Sequence, residues 1–152
     1  RDSHRVLWDD AEKGNSTTKL VKDTEIKRVI MCSGKVYYDL LEERDARELN
    51  DVYLLRFEQF YPFPAMSAVK ELERFKNAEM VWCQEEPKNQ GAWSFMEPNI
   101  EWVLNRMKAK FKRPIFVGRS ASASPATGLA SQHKVQQTSL VDEALNLKEI
   151  KK

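Results

Sequence analysis

Apolar and polar positions along this chain fall into a pattern that repeats four times from Arg28 onward. Val29, Ile30 and Met31 form a short apolar run ending at Ser33 and Gly34, after which Val36, Tyr37, Leu40 and Leu41 recur at helical spacing. A second run, Val52 to Leu55, is stopped by Pro62 and Pro64, and Ala65, Ala68, Val69, Leu72 and Phe75 then follow the i, i+3, i+4, i+7 rule of an amphipathic helix. Met80, Val81 and Trp82 predict a third strand, a polar loop from Glu85 to Gly91 follows, and Met96, Ile100, Val103, Leu104 and Met107 line one face of a third helix. Ile115, Phe116 and Val117 predict a fourth strand, Gly118 to Gly128 a Ser- and Ala-rich loop, and Val135 with Leu140, Val141, Ala144 and Leu145 a last helix.

Strand and helix in strict alternation predict the α/β class. Parallel neighbours need crossovers, and crossovers place helices over the sheet, so the expected architecture is a three-layer α/β/α domain around a mainly parallel sheet. Upstream, the segment from His4 to Trp8 is apolar at Val6, Leu7 and Trp8 and predicts a further edge strand. The polar stretch through Thr18 has no clear period, which suits a piece of a longer polypeptide. The expected organisation is an extended segment over 1–27, one α/β domain over 28–147 and a polar tail over 148–152.

Length and composition fit that reading. A single domain of 152 residues buries roughly 70% of its unfolded surface, and 41% hydrophobic with 32% charged residues is far from the signature of disorder. A net charge of +2 gives no global reason to expect a nucleic acid polymer as partner, yet Arg106, Lys108, Lys110, Lys112, Arg113, Arg119 and Lys134 lie in a stretch, Trp102 to Val141, that holds no acid. Cys32 and Cys83 each sit in an apolar run, as reduced core thiols do. No apolar run approaches the ~20 residues that span a bilayer, and no signal-peptide pattern opens the chain, so no membrane partner and a soluble intracellular protein are expected.

Ligands of open parallel sheets collect at the carboxyl ends of the strands. Four loops fall there. Ser33-Gly34-Lys35 offers backbone N–H groups, a helix dipole and an ammonium to an anion, or is a plain turn with an exposed lysine. The stretch from Arg56 to Pro64, with Glu58, Tyr61, three phenylalanines and two prolines, suits an interface between domains as well as it suits simple packing. Gln84 to Trp93 carries the adjacent carboxylates Glu85 and Glu86, which could hold a basic partner, a metal or a proton, or be solvated. Gly118 to Gly128 places Arg119 and the hydroxyls of Ser120, Ser122 and Ser124 at a strand end, without the spacing of either common phosphate-binding glycine motif. His4 and His133 are the only histidines, and neither stands at metal-ligand spacing with the cysteines. No self-sufficient catalytic or metal site is legible.

Three strings carry a resemblance: Arg28-Val29-Ile30-Met31-Cys32-Ser33-Gly34-Lys35-Val36-Tyr37-Tyr38-Asp39-Leu40, Trp82-Cys83-Gln84-Glu85-Glu86-Pro87-Lys88-Asn89-Gln90-Gly91-Ala92-Trp93, and Ser122-Ala123-Ser124-Pro125-Ala126-Thr127-Gly128. In order and across nearly the whole chain, they resemble the C-terminal region of the 2-oxoglutarate dehydrogenase decarboxylases. Phe60 stands where that family usually has leucine and Ser120 where it often has proline. The resemblance implies a transketolase-like C-terminal domain in a tricarboxylic acid cycle oxidoreductase. It implies thiamine diphosphate and magnesium bound by the preceding domains across a homodimer interface, and a succinyl group passed to the lipoyl arm of dihydrolipoyl succinyltransferase within a multienzyme complex. The location implied is cytoplasmic in a bacterium and the mitochondrial matrix in a eukaryote.

On that footing the chain alone is expected to be inactive. Arg56, Glu58, Tyr61, Glu85, Glu86 and Trp93 are candidates for the interface with the upstream domains, and Lys35, Arg119 and Ser122 for an anionic effector such as acetyl-CoA or a nucleotide. Two rival readings remain: a free-standing coenzyme- or nucleotide-binding α/β module, and a hydrolase or transferase using Glu85 or Glu86 with His133 as acid and base.

Overall fold

The computed structural model describes residues 6–12, 14, 16–58, 62–119 and 130–146. Its elements run β1 (Val6–Leu7), β2 (Arg28–Cys32), α1 (Val36–Ala46), β3 (Val52–Phe57), α2 (Ala65–Leu72), β4 (Glu79–Pro87), α3 (Trp93–Arg106), β5 (Ile115–Arg119) and α4 (Ala130–Leu145). The strand order is β1-β3-β2-β4-β5, with β1 antiparallel to β3 and every other pair parallel. This is the mainly parallel sheet that the alternation predicts.

Side chains of a strand alternate between faces, and both faces here are covered. Val29, Met31, Tyr53, Leu55, Met80 and Trp82 pack under α2 and α3. Ile30, Cys32, Leu54, Val81, Cys83 and Val117 pack under α1 and α4. Burial on both sides explains why the strands read as unbroken apolar runs. Helices α1 and α3 both end in a left-handed residue, Glu48 (φ 55°) and Lys108 (φ 58°). The next N–H then turns back to a carbonyl of the last turn, Leu49 to Arg44 and Ala109 to Leu104.

Two elements differ from expectation. Strand β4 continues through Glu85 and Glu86 to Pro87, where a polar loop was read. Pairing with β2 ends at Trp82 and only β5 flanks the remainder, so these residues carry no buried apolar face to signal a strand, and Pro87 removes no N–H from the β2 ladder. In α4, Leu140, Val141, Ala144 and Leu145 are buried, but Val135 is 66% exposed. Five residues turn an α-helix by about 140° from Leu140, which puts Val135 on the outer side.

The segment before β2 is fastened by polar contacts. Asp9 and Arg44, both fully buried, form a two-pronged ion pair at 2.7 and 2.8 Å. Strand β1 pairs with Arg56 and Phe57 alone, so the rest of the β3 edge needs other partners. The same two side chains supply them: Asp9 accepts the Leu54 N–H at 2.7 Å and Arg44 donates to the Val52 carbonyl at 2.9 Å. Glu12 accepts the Tyr53 hydroxyl and an Arg74 guanidinium N–H, and Arg74 also meets Asp23 at 3.1 Å. At the amino ends of β2 and β4 Arg28, fully buried, meets Glu79 at 2.6 Å and donates to the Ala144 carbonyl of α4 at 2.8 Å.

Cys32 and Cys83 are free and buried under α1 and α4. Burial pushes the Cys32 thiol from its ordinary 9.0 up to about 12 and Cys83 well above the same value. With the folded value above the unfolded one, the stability tied to the neutral thiols is complete below pH 9.0 and is lost as pH rises toward about 12. Each such group contributes a slope of at most about 1.4 kcal/mol per pH unit in that window. Urea midpoints should therefore stay level up to about pH 9 and drop steeply above it, and a midpoint unchanged between about pH 9 and 11 would contradict the burial of these thiols.

Candidate functional site

The carboxyl ends of β2, β4 and β5 meet the first turns of the helices around two recesses. The first, about 470 Å³, is lined by Ser33, Gly34, Lys35, Gln84, Glu86 and Gly91 among others. Gly34 adopts φ 76°, a left-handed conformation that lets β2 turn sharply into α1 without a Cβ clash. Lys35 follows it, exposed at the mouth of the recess. The opposite wall is shaped by Gln84, which is buried and accepts the Trp82 indole N–H at 2.9 Å. Its amide donates to the carbonyls of Pro87 at 2.9 Å and Gln90 at 2.7 Å, so one side chain ties the end of β4 to the turn that enters α3.

Because Glu85 and Glu86 lie in a strand, they diverge. The Glu85 carboxylate turns toward α4 and accepts from Gln137 at 2.9 Å. Glu86 turns toward Gly91, where a Cβ would come within 2.8 Å of its carboxylate. Adjacent carboxylates in a loop could share a metal or a proton, but neighbours in a strand point to opposite faces, and these two turn to different partners although both residues line the first recess. The acid–base reading with His133 concerns a side chain outside the described residues.

The second recess, about 390 Å³, lies between the end of β5 and α4 and is lined by Gly118, Arg119, Gln136, Ser139 and Glu143 among others. Lys35 and Arg119 thus face different recesses, with Glu85 between them. Arg119 donates to Gln136 Oε1 at 2.8 Å and Gln137 Oε1 at 2.7 Å. Gln137 passes the contact on, donating to Asp39 at 2.8 Å and Glu85 at 2.9 Å. The guanidinium is held by two neutral amides, with its balancing carboxylates one amide away. Such a cation is fixed in place yet keeps charge for an incoming anion. Beside it β5 passes close to β4: a Cβ at Gly118 would lie 2.7 Å from the Glu86 carbonyl oxygen, so only glycine fits that crossing.

The interface candidates divide. Arg56 lies over the rings of Tyr37 and Tyr38, at 4.4 and 5.2 Å, and donates to the Tyr38 hydroxyl at 2.8 Å. Its Nε lacks a hydrogen-bond acceptor among the described residues, and the exposed Glu58 carboxylate is 3.6 Å away. Trp93 is a core residue at 5% exposure, with its ring 5.2 Å from that of Phe116, and so presents little surface to a neighbour. Tyr61 and Ser122 lie outside the described residues. Asp39, Gln84, Gln136 and Gln137 also belong to the site; Gln136 and Gln137 lie in no recognised string, and strand alternation after Trp82 is the signal that points Gln84 inward.

Three comparisons place this arrangement among known proteins. The chain is 59% identical, over 143 residues, to the 2-oxoglutarate dehydrogenase E1 component of Brucella anthropi, and equally to that of Brucella ovis. That match takes in 93% of this chain and 14% of each relative, so the chain spans a small part of their length. A solved structure described as a split-gene transketolase, an inactive β4 tetramer, superposes with a TM-score of 0.52 at 17% identity, over 86% of this chain and 43% of that one, which establishes a shared fold. The profile described as 2-oxoglutarate dehydrogenase C-terminal matches residues 2–145, and the chain belongs to that family.

Proposed function

We propose that this chain acts as the carboxyl-terminal structural and regulatory part of a thiamine-dependent decarboxylase that converts 2-oxoglutarate and a lipoyl-protein to a succinyl-lipoyl-protein and CO2. The observation that carries the reading is 59% identity over 93% of the chain to E1 components, of which the match takes up 14%. The polar groups at the strand ends support it, because they are spent on one another: Gln84 closes a turn, Glu85 meets Gln137, and Arg56 lies on two tyrosines. Magnesium on a diphosphate takes one or two carboxylates alongside the phosphate oxygens and water. No group of three or more His, Cys, Asp or Glu among the described residues is placed to hold a metal ion. The acids at the strand ends lean on their own neighbours, Glu85 on Gln137 and Glu86 toward Gly91, so on this reading the cofactor is held by parts of the longer enzyme outside this chain.

Within that enzyme Arg56, Glu58 and Glu86 face the upstream domains of a homodimer, and dihydrolipoyl succinyltransferase receives the acyl group. Lys35 and Arg119 are the cations available to an anionic effector such as acetyl-CoA or a nucleotide, each in its own recess. The test follows CO2 release from 2-oxoglutarate with thiamine diphosphate and magnesium present. The full-length enzyme should turn over, and the 152-residue chain at equal concentration should release nothing above background. Turnover by this chain alone would sink the proposal and return attention to Glu85, Glu86 and His133.

A further inference from the structure

The first part of the acid-free basic stretch, Arg106 to Arg113, has no part in the site that Arg119 helps to form. Arg106, Lys108, Lys110, Lys112 and Arg113 are all exposed where α3 ends and the chain leads into β5, the end of the sheet opposite the two recesses. Elsewhere the domain spends its arginines internally, with Arg28, Arg44, Arg47 and Arg74 each paired to a carboxylate. In the basic run Arg113 reaches Glu101 at 3.4 Å while remaining 80% exposed, and among the described residues Arg106 and the three lysines have no ion pair.

Cations in the last turn of a helix offset its dipole, which accounts for Arg106 and Lys108. The effect fades within one turn and leaves Lys110, Lys112 and Arg113 without that explanation. Two aromatic side chains stand among the charges. Trp102 is 47% exposed with the Arg106 guanidinium 5.6 Å from its ring, and Phe111 is 37% exposed with the Lys110 ammonium 5.5 Å away. Met107 and Ala109 are buried, so the intervening lysine is anchored on both sides and turned outward. The backbone of Lys110 is further fixed by its N–H to the Lys76 carbonyl at 2.9 Å, which adds a sixth exposed cation beside the run.

We propose that this surface docks an acidic, partly apolar segment of a partner protein, with carboxylates meeting Lys108 to Arg113 and apolar side chains covering Trp102 and Phe111. Charge complementarity carries the choice of occupant. Five cations in eight consecutive residues without an acid, on a domain of net charge only +2, concentrate positive potential in one place. Exposed aromatics amid that charge reward a polypeptide that mixes acids with apolar residues, the aromatics giving the apolar centre of the contact and the charges its rim.

The experiment uses the full-length enzyme and a fluorescent peptide of alternating glutamate and leucine, titrated by anisotropy at two salt concentrations. An oligothymidylate is titrated in parallel. Charge reversal by Lys110→Glu with Lys112→Glu should weaken peptide binding by roughly tenfold and flatten its salt dependence. Trp102→Ala should weaken it severalfold without altering the salt slope. Decarboxylation and melting temperature should match the unaltered enzyme in both variants. Peptide affinity unchanged by the reversal would overturn the proposal. So would tighter binding of the oligothymidylate than of the peptide. A lowered melting temperature or loss of the dimer in the reversed variant would also overturn it, because it would show that the face packs against the rest of the enzyme's own chain.

Discussion

Replacing Asp9 with alanine should cost the domain about 3–5 kcal/mol, the usual penalty for removing one member of a buried ion pair, even though Arg44 Nε keeps Asp45 at 2.9 Å. Three losses coincide. The Arg44 guanidinium keeps its charge with no exposed surface, the Leu54 N–H loses its acceptor, and the Ala11 N–H loses its bond to the same carboxylate at 2.8 Å. Burial alone lowers the pKa of Arg44, and the hydrogen bonds and charges of Asp9 and Asp45 together more than offset that. With Asp9 gone an arginine still does not give up its proton at ordinary pH, so neutralisation offers no escape from the penalty. Asp9→Asn keeps most of the shape and should fall between the alanine variant and the parent, while the double variant Asp9→Leu, Arg44→Met should be less destabilised than Asp9→Ala. Urea unfolding of the four proteins decides it. A double variant worse than the single would mean that the pair itself, and not the abandoned charge, holds the segment.

A comparable loss, about 3–5 kcal/mol, is expected for Trp82→Ala. The ring is almost wholly buried beneath α2 and α3, with that of Phe57 6.2 Å away. Its removal opens a large cavity and strips Gln84 of its indole donor. Trp82→Phe fills most of the space and removes the N–H alone, so it should cost about 1–2 kcal/mol. The two variants separate volume from hydrogen bonding. If Phe proved as damaging as Ala, the bond to Gln84 would carry the energy, and protease sensitivity between Glu86 and Gln90 should rise with it, because Gln84 fixes that turn.

What the sequence revealed follows from the range of the forces involved. Strands β2 to β5 and their helices were readable because each buries apolar residues at a fixed period, a local property. The far half of β4 was not, since Glu85 and Glu86 pair at an edge with nothing apolar beneath them. Asp9 and Arg44 are 35 positions apart, and nothing near either residue indicates that they meet. The same holds for Gln137, which reaches across 52 positions to Glu85 and 98 to Asp39. The turn between β2 and α1 falls at Gly34, where the spacing places it, but motif reading orders residues along the chain and gives no distance between strand ends, so it leaves the separation of Lys35 from Arg119 open. The three recognised strings carried more about family than any single contact.

The bond from Arg28 to the Ala144 carbonyl spans 116 positions, and α4 lies over Ile30, Cys32, Val81, Cys83 and Val117. A ribosome extending the chain at about 5–20 residues per second completes β4 well before it delivers α4. For an interval on the order of seconds, the part of that apolar face which α1 leaves uncovered stands open to water. That interval is when the nascent chain is most exposed to mispairing with other unfolded chains, and a holding chaperone would find its surface there.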